Sequence, residues 1–95
     1  MTVINAASDG QLDAAIYEGD NARSLLQNPL LMKALDEIEQ AATNAMVEAQ
    51  NPEEREAKWY MTRAIRELKK KLLVTANAGT AAKETKAKRV KNGQK

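Results

Sequence analysis

The sequence predicts an all-α chain: an antiparallel two-helix hairpin, preceded by a short N-terminal helical segment and followed by a basic C-terminal tail. Three observations predict it. The only prolines, Pro29 and Pro52, each follow an asparagine. After each Asn-Pro the apolar residues recur at alternating spacings of three and four, the period of one helix face. Beyond Gly79 branched apolar residues almost vanish and Lys and Arg take over.

In chain order, Ser8-Asp9-Gly10-Gln11 matches the Ser-x-x-Gln capping box that opens a helix. A short helix is expected from about residue 9 to Tyr17. Gly19-Asp20-Asn21 offers a break, with Asp20 or Asn21 capping a second short turn through Leu25 and Leu26. Residues 1–27 are therefore read as an N-terminal segment with a short helix.

Asn28 is a strong N-cap, and proline at the first helical position gives up an N–H that the helix would not use. A helix over 29–50 is expected, with Leu31, Leu35, Ile38, Ala42, Ala45 and Ala49 as its buried stripe. Asn51-Pro52-Glu53-Glu54 repeats the device and adds carboxylates where the helix dipole favours them. The second helix is expected over 52–76, its stripe running Ala57, Met61, Ala64, Leu68 and Leu72, with Tyr60 and Ile65 beside it. Asn77-Ala78-Gly79 carries helix-ending residues, so the hairpin is read as 28–79.

A connection this short folds two long helices back on each other. With residue 51 as the turn, Glu39 falls near Arg63 and Asp36 near Arg66, to about one helical turn. Of the adjacent aromatics, Tyr60 is expected to face inward. Trp59 then points towards the N-terminal segment or a second subunit. Lys71 falls on the apolar stripe, where the hairpin opens or the lysine stem runs along an exposed edge. Residues 80–95 form the basic tail, with little to bury and expected to be disordered or a fraying helix when free.

Composition narrows the function. The chain has neither Cys nor His, which removes disulfides, thiolate metal sites, the cysteine nucleophile and the commonest general base. The four glycines stand apart at 10, 19, 79 and 93, so no phosphate-cradling loop exists. Asp36, Glu37 and Glu39, like Glu53, Glu54 and Glu56, read as solvated helix faces and first-turn dipole partners rather than metal ligands. No catalytic residue, metal ligand or cofactor is assigned, and a non-enzymatic chain is expected. No apolar run is long enough to span a bilayer, and Met1 to Ser8 lacks the pattern of a secretory signal, so a soluble, intracellular chain without membrane contact is expected.

The net charge of +2 conceals a polarity. Residues 1–61 carry 4 Lys/Arg against 11 Asp/Glu, and residues 62–95 carry 11 against 2. The halves therefore attract each other, or one end meets an acidic partner, or both. Lys69, Lys70, Lys71, Lys83, Lys86, Lys88, Arg89 and Lys91 are the candidate electrostatic contact surface. Trp59, Tyr60, Leu31, Leu35, Ile38, Met61 and Leu68 are the candidate packing and interface residues.

The block from Asn28 to Glu39, Asn-Pro-Leu-Leu-Met-Lys-Ala-Leu-Asp-Glu-Ile-Glu, is followed by Pro52-Glu-Glu-Arg-Glu-Ala-Lys-Trp59 and Ile65-Arg-Glu-Leu68. Together they resemble a class of short helical-hairpin proteins encoded among tailed-bacteriophage head and packaging genes, over roughly residues 22–82. That class has no catalytic residues to carry over. The resemblance implies a structural or assembly role in the virion or host cytoplasm, with self-association or docking on a larger viral structural protein. The alternative is a packaging or regulatory accessory protein whose basic C-terminal end binds nucleic acid without sequence preference, because lysines without interleaved aromatics contact phosphates but do not stack bases.

Overall fold

The computed structural model describes residues 7–93, and these form three helices, α1 (Asp9–Leu26), α2 (Pro29–Glu48) and α3 (Pro52–Gly93). No strand occurs among them. The first six residues of the expected N-terminal segment and the last two of the expected tail lie outside the described residues.

The helix starts follow local chemistry. The Ser8 N–H donates to Gln11 Oε1 at 2.8 Å and the Gln11 N–H donates back to Ser8 Oγ at 3.1 Å, which closes the capping box. Asn28 Oδ1 accepts from the Leu31 N–H at 3.0 Å, and Asn51 Oδ1 accepts from the Glu54 N–H at 2.9 Å. Each cap satisfies one of the donors that a helix start leaves without a partner.

The helix ends depart from expectation. Instead of a short segment broken at Gly19, α1 runs for 18 residues. Instead of stopping near Ala76, α3 runs through Asn77-Ala78-Gly79 and on to Gly93, 42 residues in all. The expected two-helix hairpin with a short N-terminal helix and a basic tail is therefore replaced by three helices, the third spanning most of that tail. Glycine costs a helix only about 1 kcal/mol relative to alanine, whereas proline costs about 3, and no proline lies beyond Pro52. Gly19 and Gly79 remain helical because each is buried in a helix contact that repays the cost.

The chain divides into two units, and α3 contributes to both. In the first, α1 up to Ser24 packs antiparallel to α3 from Leu73 onward, burying Leu12, Gly19 and Ala22 against Ala76, Gly79 and Ala82. The glycines permit unusually close approach: a Cβ on Gly19 would lie 2.6 Å from the Gly79 Cα, and one on Gly79 would lie 2.8 Å from the Gly19 Cα.

The second unit, Leu25–Leu72, pairs α2 antiparallel with the first half of α3. Leu35 and Ala42 are buried, while Leu31, Ala45 and Ala49 are half-buried, in line with the α2 stripe. Ile38, expected within it, is 46% exposed. On α3 the buried face differs from the expected one. Thr62 is buried and Lys58, Ile65, Lys69 and Leu72 are half-buried, whereas Ala57, Met61, Ala64 and Leu68 are exposed. The inward seam is thus displaced by one residue, a rotation of about 100°. Thr62 tolerates the position because its hydroxyl donates to the Lys58 carbonyl at 2.9 Å, and in this rotation Lys69 pairs with Asp36 and Glu39.

Candidate partner-binding surfaces

The basic residues assigned to a partner divide by what they touch. In the second unit Lys69 Nζ donates to Asp36 and, at 2.8 Å, to Glu39, while Arg66 Nε donates to Glu39 at 2.8 Å. These pairs line an open polar groove with Gln40 and Thr43. Lys69 and then Arg66, through their hydrogen bonds, hold the Glu39 carboxyl below its ordinary value, and Asp36 and then Glu39 hold Lys69 above its own. The acidic partners are those expected, and their basic counterparts lie about one turn further along α3.

In the first unit the expected tail meets the acidic face of α1. Lys83 pairs with Asp20 at 2.8 Å, Arg89 with Asp9 at 3.1 Å, and Lys86 with Asp13. Arg89 also donates to the Ala7 carbonyl at 2.8 Å. Arg23, singled out by no pattern in the sequence, donates to the Ala76 carbonyl at 3.2 Å and to Thr80 Oγ1 at 2.6 Å, and so ties α1 to the turn of α3 that holds Gly79. The hydrogen bond from Lys83 lowers the pKa of Asp20, and the one that Lys86 donates to Asp13 raises the pKa of Lys86. Lys70, Lys88 and Lys91 form no ion pair among the described residues, while Lys71 and Arg89 make further interactions within the chain.

The aromatic residues point outward. Tyr60 is 59% exposed, which corrects its expected inward placement, and Trp59 is 43% exposed. Their rings meet edge-on at 5.0 Å between centroids, and the Arg63 guanidinium lies 5.1 Å over the Trp59 ring. Among the other candidate interface residues, Leu35 is buried, Leu31 is half-buried, and Ile38, Met61 and Leu68 are exposed. The residues missed by sequence reasoning are the acidic partners in α1, Asp9, Asp13 and Asp20. Their signal was the i, i+4 spacing of Asp9 and Asp13, on the same side of α1 as Asp20.

Among the described residues no group of His, Cys, Asp or Glu is placed to hold a metal ion, and no helix is long and apolar enough to cross a membrane. The fold and its surfaces define an all-α protein of two antiparallel helix pairs with apolar and aromatic side chains on the outside. No protein-family model matches the chain, and no curated protein or solved structure matches it.

Proposed function

We propose that this chain is a small non-enzymatic structural or assembly protein of a tailed-phage particle, acting by helix packing and electrostatic docking on a larger viral protein. The observation that carries the packing role is the distribution of apolar side chains. Among the described residues the buried hydrophobics are Leu12, Leu35 and four alanines, whereas twelve large hydrophobics are exposed. A chain that leaves its larger apolar groups outside its own core is suited to burying them against another protein. The viral setting rests on the resemblance of Asn28–Glu39, Pro52–Trp59 and Ile65–Leu68 to the phage hairpin class.

Electrostatic docking falls chiefly to Lys70, Lys88 and Lys91, since Lys69, Lys83, Lys86 and Arg89 already hold carboxylates of this chain. The same pairing weakens the nucleic-acid alternative, because phosphates would have to displace Asp9, Asp13 and Asp20. The test is quantitative mass spectrometry of purified particles and of assembly intermediates from cells expressing the gene from its own locus. A fixed copy number per particle or intermediate is expected. Absence from both would reject the reading.

A further inference from the structure

We infer that the first unit is a charge-held clasp: α1 and the part of α3 from Leu73 onward come apart together when salt screens their ion pairs, while the second unit stays folded. The inference does not depend on the viral reading. It starts from what each unit buries. Among the described residues of the first unit, the large apolar side chains that are buried or half-buried are Leu12 and Ile16. Its other buried positions are Gly19, Ala22, Ala76, Gly79 and Ala82, which bring two backbones close but remove little apolar surface from water. In the second unit the buried or half-buried large apolar side chains are Leu26, Leu31, Met32, Leu35, Met46, Ile65 and Leu72. Apolar burial carries no charge for salt to screen, so the second unit keeps its main support where the first loses its own.

The first unit replaces apolar burial with charge. Asp9, Asp13 and Asp20 of α1 meet Arg89, Lys86 and Lys83 of α3, and all three carboxylate side chains are more than half exposed. Salt reaches pairs of this kind, because the screening length shortens from about 10 Å at 0.1 M to about 3 Å at 1 M. Neither partner is a strong helix without the other. On α3, Lys83, Lys86 and Arg89 repel one another at spacings of three, as do Lys88 and Lys91, against one favourable i, i+4 pair of Glu84 with Lys88. Gly79 is an advantage only while the α1 backbone lies against it, and α1 itself contains Gly10 and Gly19. Breaking the contact therefore weakens both helices, which makes opening a joint event. Lys83 and Lys86 become available to an acidic partner only where the clasp is open.

The test is hydrogen–deuterium exchange of the full chain at neutral pH, read by mass spectrometry across a sodium chloride series from about 0.02 M to about 1 M. Protection over residues 9–24 and 73–93 should fall by about tenfold, the combined worth of a few exposed ion pairs, while protection over 29–48 and 52–72 changes by less than about twofold. A reciprocal exchange of charge checks that the pairs are responsible. Asp13→Lys and Lys86→Asp should each lower protection over 9–24 and 73–93 at low salt, and the two together should restore most of it. The second unit serves as the internal control for folding in every variant. Salt-independent protection of the first unit overturns the inference, as does loss of protection in both units together. A first unit without protection at the lowest salt would show that no clasp closes. A double variant as open as either single variant would show that charge does not hold it.

Discussion

Gly19 and Gly79 lie backbone against backbone: the space for a Cβ on Gly19 is occupied by the Gly79 Cα at 2.6 Å and by the Thr75 carbonyl oxygen at 3.1 Å. The helices of the first unit approach this closely because neither residue carries a side chain. Gly79→Ala and Gly19→Ala should therefore each destabilise the chain by roughly 1–3 kcal/mol through overpacking, despite the gain of about 1 kcal/mol that alanine brings to an open helix. Gly10→Ala is the control, since its Cβ would meet only Ser8 Oγ at 3.8 Å. Urea denaturation should show the first two losing stability and the third gaining or holding it.

The two asparagine caps should contribute independently. Asn28→Ala and Asn51→Ala each leave an N–H, of Leu31 and of Glu54, without its side-chain acceptor. Each should cost about 0.5–2 kcal/mol, and the double substitution should be close to additive because the caps share no partner. Denaturation midpoints of the two single variants and the double variant check both statements.

Stability should be level through neutral pH and fall at both extremes. Glu39 and Asp20 have folded values below their ordinary 4.5 and 3.8, so their contribution is present above those values and is lost as the pH falls through the lower, folded ones. Lys69 and Lys86 are raised above 10.5, so theirs is complete below 10.5 and is lost as the pH rises through the raised values. Each step should be small because the pairs face solvent. Helicity followed by circular dichroism from acid to alkali checks the shape. An inflection near pH 7 would contradict it.

Releasing the cations of α3 from their carboxylates should strengthen binding to phosphate-bearing polymers. Asp9→Asn, Asp13→Asn and Asp20→Asn together remove the carboxylate partners of Arg89, Lys86 and Lys83. Duplex DNA binding at low salt should tighten. The logarithmic salt slope should steepen by about 0.9 for each new phosphate contact. Salt titrations of the original and substituted chains measure the difference.

By itself the sequence determined where the helices begin. Ser8-x-x-Gln11, Asn28-Pro29 and Asn51-Pro52 act within a few residues, so their meaning survives without any knowledge of the fold. It also determined the α2 face built on Leu35 and Ala42, though not the exposure of Ile38. Tertiary structure alone decided where the helices end and how α3 is rotated. Gly19 and Gly79 read locally as breaks, but a glycine becomes an advantage inside a helix once another backbone lies against it. On α3 the seams 57/61/64/68 and 58/62/65/69 have identical spacing, and periodicity reports that a face is regular without reporting what it touches. The more polar seam faces inward, with Lys69 paired to Asp36 and Glu39 and the Thr62 hydroxyl satisfied, and Met61 and Leu68 stay outside. The basic run after Gly79 is helical for the same kind of reason: its charges find Asp9, Asp13 and Asp20, which lie more than sixty residues away in the chain and come within reach only when α1 folds back along α3.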